Sequence, residues 1–262
     1  IHQCTRRFGT ILENAQLDHE GRRVRLDDAS LTDNVRACYP ITHVPGASRT
    51  GQCGHPEHIF LLTRDTTGVL PPLARLSLDQ AAFAFLTAYA SSLHETEARP
   101  GDVRPVLEGR GPQGSHGLKA AAYARRFLVQ VQRHDTRCWF MNTGWVGEPA
   151  GHGERLDLQV SRALVRAVLS GALDRVAYEA DPLFGFEIPA ECPGVAPKQL
   201  KPRAMAEDAG ADELRANQLA AAFIQGFERY GAEMPDSVKQ MVANVVLNEE
   251  TLDVMESFRL SF

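Results

Sequence analysis

The stretch that most constrains this 262-residue chain runs from Arg137 to Leu173. It opens with Cys138-Trp139-Phe140-Met141, an apolar run too short for a helix and rich in strand-favouring aromatics, which predicts a buried strand. The turn-forming cluster Asn142-Thr143-Gly144 ends it, and a glycine-rich loop follows through Gly147, Gly151 and Gly153. The alternation Arg155-Leu156-Asp157-Leu158 predicts a second extended piece. A helix then begins near Ser161, with Ala163, Leu164, Ala167 and Val168 recurring at helical spacing. Strand, bare-backbone loop and helix, in that order, is the layout with which α/β proteins build a ligand crevice. The fold class is therefore α/β.

Charge and composition narrow the chemistry. A formal net charge of −5 argues against a nucleic-acid binder and against a protein of the membrane surface. Lysine occurs only at positions 119, 198, 201 and 239, none in a Schiff-base or phosphate-loop motif, and G-x-x-x-x-G-K-[ST] is absent throughout. The cysteines, Cys4, Cys38, Cys53, Cys138 and Cys192, are odd in number and widely spaced. They predict reduced thiols and a cytoplasmic location. No apolar run reaches transmembrane length, and no secretory signal opens the chain.

Elsewhere the sequence predicts a strand over Phe8–Ala15, with Val24-Arg25-Leu26 as the second arm of a hairpin. His58–Thr63 reads as a buried strand. Ser77 and Gln80 form a capping box before a helix that places Leu78, Ala81, Ala82, Phe85, Leu86, Tyr89, Ala90 and Leu93 on one face. A further helix is predicted from Lys119 to Val131, and another from Asp212 to Tyr230 with Leu219, Ala222, Phe223 and Phe227 inward. Asp236 can cap a last one bearing Val238, Met241, Val242, Val245 and Val246. That stripe must be buried, either on its own domain or in a subunit contact. Two motifs carry less than they spell. Cys53, His55 and His58 form C-x-H-x-x-H, but a fourth zinc ligand is not apparent and Pro56 separates the histidines. Gly109–Gly114 spells G-x-G-x-x-G after a poor, proline-broken strand, and reads as a solvated loop.

Several separated motifs agree in order and spacing with one family. Thr32-Asp33-Asn34-Val35-Arg36-Ala37-Cys38-Tyr39-Pro40-Ile41, then Asp65 with Gly68-Val69-Leu70-Pro71-Pro72, Asn142-Thr143-Gly144-Trp145, Gly153-Glu154-Arg155-Leu156, Ser161-Arg162-Ala163 and Cys192-Pro193-Gly194-Val195 resemble the closing part of ATP-dependent phosphoenolpyruvate carboxykinase. The resemblance covers roughly residues 1 to 230. It implies a partial C-terminal nucleotide-binding domain with a mixed sheet over residues 1–233, followed by an added helical tail over 234–262. It implies that Arg36 reaches the transferred phosphoryl group and the substrate carboxylate, a task suited to a planar, permanently charged guanidinium. It further implies that Arg155 and Leu156 border an adenine pocket, with Ser161 at the following helix start. For Arg155 a salt bridge to Glu148 or Asp157 is the competing expectation, and for Arg36 a surface or interdomain salt bridge.

The same resemblance implies the reaction of oxaloacetate and ATP to phosphoenolpyruvate, ADP and carbon dioxide, with ATP and magnesium or manganese as cofactors. The family's phosphate cradle and metal ligands lie upstream of the matching region, so this chain alone is expected to hold none of these cofactors, and no metal-binding residue is assigned. A partner chain or an upstream segment is then expected to cover an exposed sheet edge, and residues 236–258 offer a further oligomer contact. The pattern also breaks in places. The lid region keeps only Thr96-Glu97, Glu154 replaces the family's lysine, and Asp157 replaces its serine. Two expectations follow, the C-terminal part of a carboxykinase, or a non-catalytic paralogue serving as an interaction subunit.

Overall fold

The computed structural model describes residues 2–21, 23–25, 28, 30–31, 35–87, 120–243 and 245. They fall into two units, residues 1–55 and 56–262. The lid region, the G-x-G-x-x-G run and the tail residues 246–262 lie outside the described residues.

In the first unit a short helix α1 (His2–Thr5) precedes four short strands, β1 (Ile11–Glu13), β2 (Gln16–Leu17), β3 (Val24–Arg25) and β4 (Arg36–Cys38). The hairpin is β2 with β3, closed by Asp18 and Arg23. β1 instead pairs antiparallel with β4, so Glu13 stands opposite Arg36. The predicted strand over Phe8–Ala15 is thus cut to three residues, because Gly9 and Asn14 both adopt positive φ and break the extended run on either side. Among the described residues of this unit Cys4 is the buried hydrophobic one, its Sγ donating to the His43 carbonyl at 3.2 Å.

The second unit is built on a five-stranded mixed sheet. Its strands are β5 (His58–Thr63), β6 (Leu73–Leu76), β7 (Arg137–Asn142), β8 (Tyr178–Ala180) and β9 (Glu187–Pro189), in the order β5-β7-β6-β9-β8. β5 and β7 run parallel, with His58 opposite Arg137 and Thr63 opposite Asn142, and the remaining pairs are antiparallel. Helices α2 (Leu78–Thr87), α3 (Ala120–Arg133), α4 (Leu158–Leu169), α5 (Pro197–Leu200), α6 (Ala209–Gly231) and α7 (Asp236–Ala243) complete it.

The capping box of α2 forms as its sequence requires, Ser77 N–H donating to Gln80 Oε1 and Gln80 N–H to Ser77 Oγ. The centre of the core is Phe83, fully buried and 5.7 Å from Phe223 and 5.8 Å from Phe227 of α6. Phe184 and Phe186 continue the aromatic stack to Phe140 on β7. Such tilted pairs add about 1 kcal/mol each beyond the area they bury. Phe83 lies outside the apolar face expected for this helix. A single stripe does not describe α2, which is buried nearly all round, from Gln80 to Thr87 with Phe85 half-buried. Val238 and Val242 of α7, with Val245 beyond it, join the same core, so these three valines pack on their own unit.

Several boundaries differ from expectation. α6, expected from Asp212, begins at Ala209 because Asp208 is its N-cap, accepting from the Gly210 and Ala211 N–H groups. α4 begins at Leu158, three residues before Ser161, because Asp157 is its N-cap, accepting from the Gln159 N–H at 2.6 Å. The extended piece at Arg155 is reduced to one bridge with Trp145. β5, expected to be buried, is an edge strand whose residues 58–61 are half-exposed and whose Leu62 is 68% exposed.

Candidate functional site

The site forms where the parallel pair β5 and β7 ends, the position at which α/β sheets open a crevice. Asn142, fully buried at the end of β7, uses every hydrogen-bonding position of its amide. Its Oδ1 accepts from the N–H of Asp65 at 3.0 Å and of Gly144 at 2.7 Å. Its Nδ2 donates to the carbonyls of Leu70 at 3.1 Å and Trp145 at 2.8 Å. Asp65, equally buried, accepts from Thr67 N–H and Oγ1 through one oxygen and from Leu70 N–H through the other. The Asn142 side chain staples the loop after β5 to the loop after β7, and the Asp65 carboxylate braces the first of these loops from within.

The glycines follow from that contact. A Cβ on Gly144 would collide with the Asp65 carbonyl, and one on Gly68, at φ +78°, with the Glu148 backbone. Gly147 is held from the far side. Its carbonyl accepts from Arg215 of α6, and Arg215 and Arg203 both pair with buried Asp212 at 3.2 Å. Glu148 accepts from the Glu207 N–H at 2.8 Å.

On this frame sit three of the expected residues. Arg155 is exposed, and its Nε donates to the Thr143 carbonyl at 2.8 Å. Leu156 is half-buried and its N–H donates to the Gly144 carbonyl at 2.7 Å. Ser161 is buried on the first turns of α4. These three are brought together by one loop and one helix. The salt bridge expected as the alternative for Arg155 is not formed: Glu148 turns to Glu207, and Asp157 to the α4 N-terminus. Arg36 lies in the first unit, exposed on β4. Sequence reasoning gives Asp65 and Asn142 no role, although both stand at or just beyond the carboxyl ends of predicted buried strands, which is the signal that could mark them.

Electrostatics at the sheet are set by burial. Burial pushes the Cys138 thiol up to about 11, which leaves it a packing residue and no nucleophile. Burial, and then the nearby Arg137, lowers His58, whose Nδ1 accepts from Trp139 Nε1 at 3.1 Å. Among the described residues no three His, Cys, Asp or Glu side chains gather as a metal site, and no helix is long and apolar enough to cross a membrane.

The sequence profile of phosphoenolpyruvate carboxykinase matches residues 1–198. The chain belongs to the phosphoenolpyruvate carboxykinase family. Among its relatives, the phosphoenolpyruvate carboxykinase (ATP) of Geobacter sp. (strain M21) is 41% identical over 232 residues, 88% of this chain and 44% of the relative. That of Geotalea uraniireducens (strain Rf4) is 40% identical over 238 residues, 91% and 45%. That of Thermus thermophilus is 39% identical over 240 residues, 92% and 45%. The chain thus spans about half the length of the carboxykinases it matches, as a C-terminal portion with the mixed α/β sheet described above.

The residues present fit one side of a nucleotide better than its phosphates. Arg155 offers a guanidinium fixed at Nε, beside the half-buried Leu156. The N-terminus of α4, a natural anion seat, already carries the Asp157 carboxylate.

Proposed function

We propose that this chain supplies the C-terminal portion of an ATP-dependent phosphoenolpyruvate carboxykinase and takes part in converting oxaloacetate and ATP to phosphoenolpyruvate, ADP and carbon dioxide. The observation that carries this reading is the stapled Asn142–Leu156 loop, which among the described residues fixes Arg155 through Nε alone and leaves its terminal nitrogens for a ligand. In this reading Arg155, Leu156 and Ser161 border the nucleotide, and Arg36 clamps the phosphoryl and carboxylate oxygens by charge-assisted hydrogen bonds. Magnesium or manganese would neutralise charge on the transferred phosphoryl group, held by residues outside this chain. The location is cytoplasmic, with no nucleic-acid or membrane partner. The partner is the rest of the carboxykinase polypeptide, and any subunit contact through 236–258 uses residues other than the three buried valines.

The test is turnover of this chain assembled with the N-terminal portion of a related carboxykinase. Arg36→Ala should lower turnover by a factor of about a thousand, the scale on which a transition-state arginine acts. Unchanged turnover would remove the catalytic role.

A second reading, a non-catalytic paralogue kept as an interaction subunit, is favoured by one feature. Asp157 and Glu154 put two carboxylates where the resemblance implies serine and lysine, and Asp157 occupies the helix terminus that an anion would need. Nucleotide affinity in the assembled protein decides between the two.

A further inference from the structure

The loop that carries Arg155 is gripped from two directions at one residue. Gly147 is buried, at φ +86°. Its N–H donates to the Gly68 carbonyl at 2.7 Å, which ties it to the loop after β5. A buried peptide carbonyl also needs a donor, and among the described residues the donor to Gly147 is Arg215 Nη2 of α6, at 3.4 Å. The same nitrogen reaches the Asp212 carboxylate at 3.2 Å, a sharing that a planar guanidinium allows. Arg215 Nε is buried and has no hydrogen-bond partner among the described residues, so Asp212 and the Gly147 carbonyl alone orient this head. Asp212 is itself buried, and its other oxygen accepts from Arg203 Nε at 3.2 Å. One carboxylate thus holds two guanidinium groups, and of the two only Arg215 hydrogen-bonds onward to the loop.

From this corner the path to Arg155 is short. Just before Gly147, Trp145 bridges to Arg155, and its Nε1 donates to the Gly153 carbonyl at 3.1 Å. Just after it, Glu148 lies so close to Gly153 that a Cβ there would stand 2.6 Å from its own. The Leu156 N–H closes the returning arm on the Gly144 carbonyl at 2.7 Å. The two arms of the loop therefore move as one piece, and the Arg155 guanidinium, fixed through Nε to the Thr143 carbonyl, moves with them. A group that must meet a ligand tolerates little error, since a displacement of about 1 Å can cost a factor of about a hundred. We propose that Arg215, oriented by Asp212, is a positioning residue for the nucleotide, setting where the 143–156 loop and its Arg155 stand. The proposal rests on the reading that Arg155 borders the nucleotide. Arg215 acts through the Gly147 peptide and not by contact with substrate.

The experiment compares Arg215→Met, Arg215→Lys and Arg203→Met with the parent. Amide exchange is read on the 262-residue chain, and steady-state kinetics on its assembly with the N-terminal portion of a related carboxykinase. In Arg215→Met the N–H groups of Gly147 and Leu156 should exchange about tenfold faster while those of Cys138–Met141 keep the parent rate. The nucleotide KM should rise about tenfold with kcat and the oxaloacetate KM unchanged, the signature of lost uniform binding. Arg215→Lys should fall between the parent and Arg215→Met, because it keeps a cation beside both acceptors. Arg203→Met is the control: it takes a guanidinium from the same carboxylate and should lower the unfolding midpoint without either selective effect. The proposal is overturned if Gly147 and Leu156 keep the parent exchange, if they quicken only in step with Cys138–Met141, if Arg203→Met reproduces the selective effects, or if the nucleotide and oxaloacetate KM rise together. A parent assembly that turns over no substrate counts against the proposed activity, and the exchange comparison then decides by itself whether Arg215 holds the loop.

Discussion

At the scale of single residues, the site depends on two buried polar side chains with no freedom to change. Asn142→Leu keeps the volume but strands Asp65 N–H, Gly144 N–H and two carbonyls away from water. Each buried group so abandoned costs about 1–3 kcal/mol. The expected loss is about 4 kcal/mol or more, read from the denaturant midpoint, and Asn142→Asp should be as harmful because it turns the two donors toward Leu70 and Trp145 into acceptors. A loss below about 1 kcal/mol would show that the staple is dispensable. His58 gives a pH dependence of known sign. Its folded-state affinity for a proton is lowered, by burial first and by Arg137 second, so protonation favours the unfolded chain. Its contribution is therefore complete above the ordinary histidine range near 6.5 and declines as pH falls through and below it. Trp139 Nε1–H pointing at Nδ1 adds to this, since an imidazolium would present a second donor there. The midpoint of the parent chain should fall between about pH 7.5 and 5 more steeply than that of His58→Leu, and equal slopes would sink the assignment.

At the scale of elements, what the sequence makes legible is what local chemistry determines. The strand at Cys138–Met141, the capping box of α2 and the glycine loop all appear where their residues place them, because caps and turns are settled within a few positions. The start of α4 differs from expectation because Asp157 fits an alternating strand pattern and a helix N-cap equally well, and only the Gln159 N–H distinguishes them. The partner of β1 differs because pairing with β4 is decided by contacts more than twenty residues apart, while the nearer arm Val24-Arg25 goes to β2. The Asp65–Asn142 staple is invisible for the same reason, joining positions far apart in sequence through a register that only the folded sheet reveals. The cap also supplies a test of function. Asp157→Ala should cost about 1 kcal/mol of stability. The double change Asp157→Ser and Glu154→Lys removes two negative charges beside Arg155, restores one positive charge, and keeps a capping hydroxyl. Nucleotide affinity in the assembled protein should rise at least several-fold by calorimetry. An unchanged affinity would mean that the carboxylates do not face the nucleotide.

At the scale of the whole molecule, the two units differ in what holds each of them together. The second has one continuous aromatic and aliphatic core running from Val69 to Val245. The first buries Cys4 and leaves Phe8, Ile11, Leu17, Val24, Leu31, Ile41 and Val44 exposed. Two short ribbons with an apolar surface of that kind lack the buried area that opposes chain entropy, since stretches of this size are marginal even when well packed. Stability should therefore be graded along the chain and not shared evenly. Amide exchange on the intact 262-residue chain should show β1 to β4 opening at almost no free-energy cost, while Trp139 and Phe140 of β7 and Phe83 of α2 exchange only on global unfolding. Adding the unmatched carboxykinase portion should protect the first unit as well as β5, because an apolar surface becomes stable only when something covers it. If residues 11–38 are already as protected as β7 in the isolated chain, the first unit draws its stability from contacts of its own, and the need for a partner rests on the β5 edge alone.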